Sequence, residues 1–339
     1  MGGAGVSGMA RRIVAALALG TMACARHDAL PVVPAPAATI DDATARAFAD
    51  QVETKRRTDA RFAAVLGREM IVRKVAYPGA GGLTIPAYLF APRDTTVQRA
   101  AILFVHGGIH GDFGVVHLAQ VRDLVRRGWV VLAPEYRGST GYGARFYDAI
   151  DYGGLEVDDV LAGRDWLARL VPNVDAARLA VVGYSHGGYI ALLAAMRRPA
   201  LFRAVVAHVP VADLPIRMRT HDADYRALFA AQPAFGGTVD ERPAPYVDRS
   251  PTAHARALRT PTLVHVADND EDVHVAENRA LRDSMRAAGK IGEGVYVYRE
   301  FHDPPGGHSF GVLLDTPAGR ESWRETLRFL SRHLDAQHG

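Results

Sequence analysis

From residue 70 to the C-terminus, short apolar runs alternate with longer mixed ones. The runs 70–77, 83–90, 100–105, 129–134, 179–184, 204–211, 261–267 and 295–301 have strand length and are rich in β-branched, aromatic and other apolar residues. Stretches 115–127, 156–170, 186–198, 275–288 and 320–334 have the length and composition of helices. Only Pro78-Gly-Ala-Gly-Gly82 separates the first two runs, which is a hairpin signal, whereas helices separate the later ones. Eight such strands predict an α/β fold, a mostly parallel sheet covered by helices on both faces. Segment 212–257 breaks the pattern, being polar, aperiodic and punctuated by Pro233, Pro243 and Pro245. It reads as a short insertion over the carboxyl edge of the sheet, where such folds bind ligands. Its Tyr225, Phe229, Phe235 and Tyr246 are candidates for pocket walls or for core. No internal repeat is visible.

Upstream the texture is different. Asp41-Asp42 can cap a helix running to about Leu66, with Phe48, Val52, Phe62 and Val65 loosely on one face. That helix is expected to pack on the main domain and carries no chemical signal. Residues 30–39, rich in proline and alanine, read as a stiff extended tether. Arg11-Arg12 and the apolar stretch 13–20 form the charged and hydrophobic regions of a secretory signal, too short to span a bilayer. Ala23-Cys24 resembles a bacterial lipoprotein site, which would place a lipid on Cys24; Ala23-Cys24-Ala25 also fits simple signal-peptide cleavage. The expected organisation is a signal over 1–25, tether and helix over 26–69, and one catalytic domain over 70–339. The expected destination is outside the bacterial cytoplasm: periplasmic, lipid-anchored or secreted.

The chain has 339 residues, 48% of them hydrophobic, enough for one large core. Net charge is +3, and lysine occurs only at 55, 74 and 290. The arginines are scattered among 37 acids with no run longer than Lys55-Arg56-Arg57, so the basic residues read as solvated surface. A nucleic-acid groove would cluster them. A single cysteine excludes a disulfide framework and a thiolate metal site. His106, His110 and His265 lack metalloenzyme spacing and, with His254, read as packed or exposed. Asp268, Asp270 and Asp272 have calcium-loop spacing, but Val273 and Arg279 stand where that loop needs glycine and glutamate. Neither metal nor cofactor is expected.

Chemistry enters at Gly183-Tyr184-Ser185-His186-Gly187, which ends an apolar run and opens an apolar helix. A G-x-S-x-G turn in that context is a nucleophile elbow, with Gly183 and Gly187 relieving a turn too sharp for side chains. A serine hydroxyl needs a base, and the base an orienting carboxylate, found in this architecture after later strands in the order acid then histidine. Two loops fit. One is 268–272, holding Asp268, Asp270, Glu271 and Asp272; the other is 302–310, holding His302 and His308. His308 follows two glycines that let its loop approach Ser185, whereas His302 lies nearer the strand end. The oxyanion donors are expected at His186 N–H and in His106-Gly107-Gly108, with Gly108 preferred over Gly107.

These residues resemble the catalytic domain of the prolyl oligopeptidase family of serine peptidases. Pro134–Gly143 resembles that family's N-x-R-G-S-x-G-Y-G stretch, Asp158-Asp159-Val160 and Asp165-Trp-Leu167 its helix before the elbow, and Gly183–Tyr189 its G-x-S-x-G-G-Y. Phe235-Gly-Gly-Thr and 246–251 resemble the approach to the strand before the acid. Asp270-Glu-Asp-Val273-His274 resembles D-x-x-V-P/H and Gly307-His308-Ser-Phe310 resembles G-H-x-F, which implies Asp270 as acid and His308 as base. The resemblance runs from about Met70 to the C-terminus and implies the α/β-hydrolase fold.

Three departures limit what it implies. About 45 residues between Cys24 and Met70 leave no room for the β-propeller of larger members, and the glutamates with which some members hold a peptide's amino terminus have no evident counterpart. Val266-Ala267 replaces the usual His-Gly before the acid loop. Stand-alone relatives of this fold also include esterases. The expectation is therefore an exported serine hydrolase acting on a peptide, with a small-ester hydrolase as the alternative and a non-catalytic envelope binding module as a minor one. Oligomeric state and side-chain preference are not legible.

Overall fold

The structure, a computed structural model, describes residues 41–291 and 294–335. The expected signal peptide, Cys24 and the tether lie outside the described residues. A compact unit begins at Asp42. It opens with α1 (Asp42–Leu66), the hairpin β1 (Ile71–Pro78) and β2 (Thr84–Ala91), then β3 (Arg99–Val105), α2 (Leu118–Arg126), β4 (Val130–Pro134) and α3 (Ala144–Tyr147). The elbow region follows as α4 (Leu155–Leu170), β5 (Val174–Tyr184), α5 (His186–Arg197) and β6 (Ala204–His208). The chain then forms α6 (Leu214–Thr220), α7 (Ala223–Ala230), α8 (Pro243–Asp248), β7 (Thr262–Ala267), α9 (Val275–Ala287), β8 (Tyr296–Phe301) and α10 (Pro317–Leu334). No described helix is long and apolar enough to cross a membrane.

The eight strands form one sheet in the order β1-β2-β4-β3-β5-β6-β7-β8. β1, β2 and β4 pair antiparallel, and from β4 to β8 all pairings are parallel. Parallel pairing needs a crossover long enough for a helix, and the crossovers cover both faces. The apolar runs are therefore continuous rather than alternating. In β3, Leu103 and Val105 pack in one core layer while Ile102 and Phe104 pack in the other. The first layer lies under α4, α5 and α9, the second under α1, α2 and α10.

Every expected strand is present within a few residues, and the sequence limits differ where a turn intervenes. β6 ends at His208, before Val209 with φ 45° and Pro210, so the run expected to reach 211 is cut short. The insertion folds into α6, α7, α8 and a 3₁₀ segment at Pro251–Ala257. Asp213 and Asp222 accept N–H bonds from Ile216 and Tyr225 and cap the first two helices. One expectation is corrected: Lys55, read as solvated surface with Arg56 and Arg57, is only 4% exposed. It lies with Phe62 and Leu66 on the inward face of α1.

Candidate active site

The elbow is built by steric exclusion. A Cβ on Gly183 would lie 2.1 Å from the Gly187 carbonyl oxygen, and one on Gly187 would lie 2.3 Å from the carbonyl oxygens of Val105 and His106. Only glycine fits at either place, because the first turn of α5 presses against the end of β3. Ser185 between them takes φ 53° and ψ −120°, a strained conformation for a residue with a side chain, and stands at the N-cap of α5. Its own N–H donates to the His208 carbonyl at 2.8 Å, tying the elbow to the neighbouring strand.

Two Asp–His pairs follow the last two strands, and the structure sorts them. His308 Nε2 lies 2.9 Å from Ser185 Oγ, and His308 Nδ1 lies 2.8 Å from Asp270 Oδ2. Asp270 Oδ1 accepts the N–H groups of Asp272 and Val273 at 2.9 and 2.8 Å, so both oxygens of this buried carboxylate are engaged. The carboxylate can only accept, which puts the Nδ1 proton on the Asp270 side and leaves Nε2 to accept from the serine hydroxyl. The other pair, His302 with Asp268 at 2.5 Å, lies outside: His302 is 92% exposed. There Asp268 holds its carboxyl below the usual range through the Asp303 N–H and His302. Glu271 is exposed.

The loop after β3 sits beside the serine. A Cβ on Gly107 would come within 3.2 Å of Ser185 Cβ, and Gly108 has φ +78°. The Gly107 carbonyl accepts from His106 Nδ1 at 3.0 Å and the Gly108 carbonyl from Tyr136 Oη at 2.6 Å, so the peptide planes here are fixed from behind. His106 is buried, stacks on Tyr136 with ring centroids 4.3 Å apart, and is driven down to about 3 by burial, which makes it a strut. Beneath it the buried Glu135 faces Lys55, which also donates to Asp112 Oδ2 at 2.7 Å and the Phe113 carbonyl at 3.1 Å. The Arg137–Asp159 pair locks the next turn through two parallel bonds of 2.7 and 2.8 Å.

A cleft of about 420 Å³ opens over Ser185, lined also by His308, Gly107, Gly108 and His186. The insertion supplies its far wall. Tyr225 and Phe229 face the cleft as expected, whereas Phe235 and Tyr246 are wholly buried behind it. Tyr152 and Val209, both with φ 45°, line it too, so three of the four described non-glycine residues with positive φ, counting Ser185, border this one cleft. Such strain persists only where the surrounding packing imposes it, and it gathers at functional sites. Sequence reasoning missed Arg217, which lines the cleft from α6 with Nη1 3.1 Å from Glu277 Oε1. Burial pushes the Glu277 carboxyl up to about 7, with Arg217 the main opposing influence. Nothing local announces this pair, since 60 positions separate its members. His110 stacks on Tyr147, His254 Nε2 lies 2.7 Å from the Asp248 carbonyl, and His265 is buried against Ser322.

Asp270, Asp272 and His308 bring ligand atoms within 4.8 Å of one another. Asp270 already accepts three hydrogen bonds there, and His308 is turned to Ser185, so the group fits a hydrogen-bonded relay better than a cation.

The profile of the prolyl oligopeptidase family matches residues 116–337. The chain is 26% identical over 226 residues to the uncharacterized peptidase YuxL of Bacillus subtilis, covering 65% of this chain and 34% of that one. It is 29% identical over 224 residues to human dipeptidyl peptidase 8, covering 62% and 24%. A puromycin-hydrolyzing peptidase of Mycobacterium tuberculosis superposes with a TM-score of 0.66 at 26% identity, over 80% of this chain and 40% of that one. The chain thus spans about a third or less of the length of these curated relatives. With its eight-stranded α/β-hydrolase sheet and this match, the chain belongs to the prolyl oligopeptidase family.

Proposed function

We propose that the protein is an exported serine peptidase in which Ser185, His308 and Asp270 form the catalytic triad. The observation that carries this reading is the unbroken relay from Ser185 Oγ to His308 Nε2 at 2.9 Å and from His308 Nδ1 to Asp270 Oδ2 at 2.8 Å. Ser185 Oγ attacks a peptide carbonyl carbon while His308 takes the hydroxyl proton, and Asp270 holds the ring and stabilises the imidazolium. The N–H groups of His186, at the start of α5, and Gly108 receive the oxyanion. His308 then protonates the departing amine. Water, deprotonated by the same imidazole, releases the acyl group from Ser185.

Peptide cleavage is supported by family membership and by relatives that are themselves named peptidases. Hydrolysis of small esters is the second reading, favoured by the cleft of about 420 Å³ over Ser185, roomy enough for a small acyl group. Export rests on the charged and apolar segments of residues 11–20, with Cys24 as the proposed lipid attachment or cleavage point. The test is kcat/KM for an ester and an amide with the same acyl-peptide group, with Ser185→Ala as the blank. Amide turnover absent from Ser185→Ala supports the peptidase, ester turnover alone supports the esterase, and turnover surviving in Ser185→Ala refutes the triad. Labelling of the wild-type chain by a fluorophosphonate, absent in Ser185→Ala, separates an enzyme from a binding module. Palmitate labelling in a bacterial host, lost in Cys24→Ala, tests the anchor.

A further inference from the structure

Arg217 is only 8% exposed, yet it lines the cleft that holds Ser185. Its Nε donates to Tyr225 Oη at 2.7 Å, and Nη1 donates to the Asp272 carbonyl at 3.0 Å and to Glu277 Oε1 at 3.1 Å. An arginine carries five N–H donors, two of them on Nη2. Among the described residues, these three bonds use Nε and Nη1 and none uses Nη2. Glu277 is already committed elsewhere, since its Oε2 accepts the N–H groups of Ala212 and Asp213 at 3.1 and 3.4 Å. The same cleft is lined by the apolar or aromatic Tyr152, Val211, Leu214 and Phe229, with Asp272 its acidic lining residue. A guanidinium held by three bonds on its other side, with this edge left to the cleft, is placed to donate to a ligand there.

We propose that this edge is a specificity site. On the reading that Ser185 is the nucleophile, the side chain of the acyl residue enters the cleft and presents an oxygen acceptor to Arg217 Nη2. A carboxylate serves best, being charged and able to take both N–H groups, and a carboxamide serves next. The preferred substrates therefore carry glutamate-like or glutamine-like acyl residues. The competing use of the same edge, holding a main-chain carbonyl, would act on every substrate alike.

The experiment compares chromogenic esters and matched amides of N-acetylated glutamate, glutamine and methionine, the last an unbranched apolar side chain of similar length. In the wild-type chain, kcat/KM should fall in the order glutamate, glutamine, methionine, with at least a tenfold span, the scale of one charge-assisted hydrogen bond. In Arg217→Met the glutamate-to-methionine ratio should collapse to near one. The ratio is independent of how much of the variant is folded, which matters because Glu277 loses its partner. An equal or greater rate with methionine in the wild type overturns the proposal, as does an unchanged ratio in Arg217→Met. Binding of N-acetyl-glutamyl and N-acetyl-methionyl methylamides to Ser185→Ala gives a second readout without turnover. Tighter binding of the glutamyl compound, even without catalysis, keeps the site and removes only the catalytic reading; equal binding removes the site.

Discussion

Lys55 Nζ lies 2.7 Å from Asp112 Oδ2, joining the N-terminal helix to the loop that carries Gly107 and Gly108. The same ammonium faces Glu135, whose side chain is wholly buried, and it stacks its charge over Tyr88 at 5.0 Å. Glu135 stands where the family stretch N-x-R-G has a neutral asparagine. Helix α1 therefore supplies the cation that a buried carboxylate requires.

Replacing that cation should cost far more than a surface charge does. Lys55→Met is expected to lower unfolding free energy by about 3–5 kcal/mol, because it removes the contacting cation from buried Glu135 and leaves the Phe113 N–H, at 3.3 Å, as its donor. Lys55→Met combined with Glu135→Gln should recover more than half of the loss. Urea unfolding of the three proteins measures both, and purely additive effects would show that the two groups do not interact.

The two Asp–His pairs predict opposite outcomes for similar substitutions. Asp270→Asn should reduce kcat by about 10⁴, since the wrong tautomer of His308 then faces Ser185. Asp268→Asn and His302→Ala should stay within about twofold, because His302 is exposed and Asp268 bonds His302 and the Asp303 N–H rather than Ser185 or His308. Steady-state kinetics with circular dichroism as a folding control decides between them.

Gly183→Ala and Gly187→Ala should each lose the elbow. The added methyl meets backbone oxygen at 2.1 and 2.3 Å, and backbone cannot step aside as a side-chain tip can. Expected is a stability loss at or above the usual overpacking range of about 1–3 kcal/mol, with turnover reduced in whatever fraction remains folded. Thermal melts and fluorophosphonate labelling of the folded fraction read the two effects separately.

Stability should fall on the acid side of neutrality. Burial holds His106 at about 3 and His117 at about 4, and it lowers His208 and His265. The unfolded chain takes up a proton at each near 6.5, the folded chain does not, so unfolding binds protons as pH drops below that value. The contribution is fully present above pH 6.5 and is lost at about 1.4 kcal/mol per pH unit per histidine as pH falls towards the folded value. Glu277, raised to about 7, opposes this, as do Glu135 and Asp159, which burial also raises. Urea midpoints measured from pH 7.5 to 5 should therefore decrease; a flat profile would mean that the histidines titrate normally in the folded state.

The strands and the elbow were legible in the sequence because each is set within a short window. Strand 101–105 declares itself by continuous burial on two faces, and Gly183 and Gly187 by a clash that any side chain would make within the same turn. The choice of Asp270 and His308 over Asp268 and His302 needed the resemblance as well, since spacing alone allows both pairs. What the sequence could not show was the partner of each isolated charge. Lys55 reads as one of three basic residues in a row, yet helical periodicity turns it inward while Arg56 and Arg57 stay out. Arg217 reads as one more arginine in a polar insertion, yet α6 lays it against Glu277 and into the cleft. A polar side chain's fate depends on what packs opposite it, and here those partners lie 57 to 80 positions away in the chain, so only the folded structure decides them.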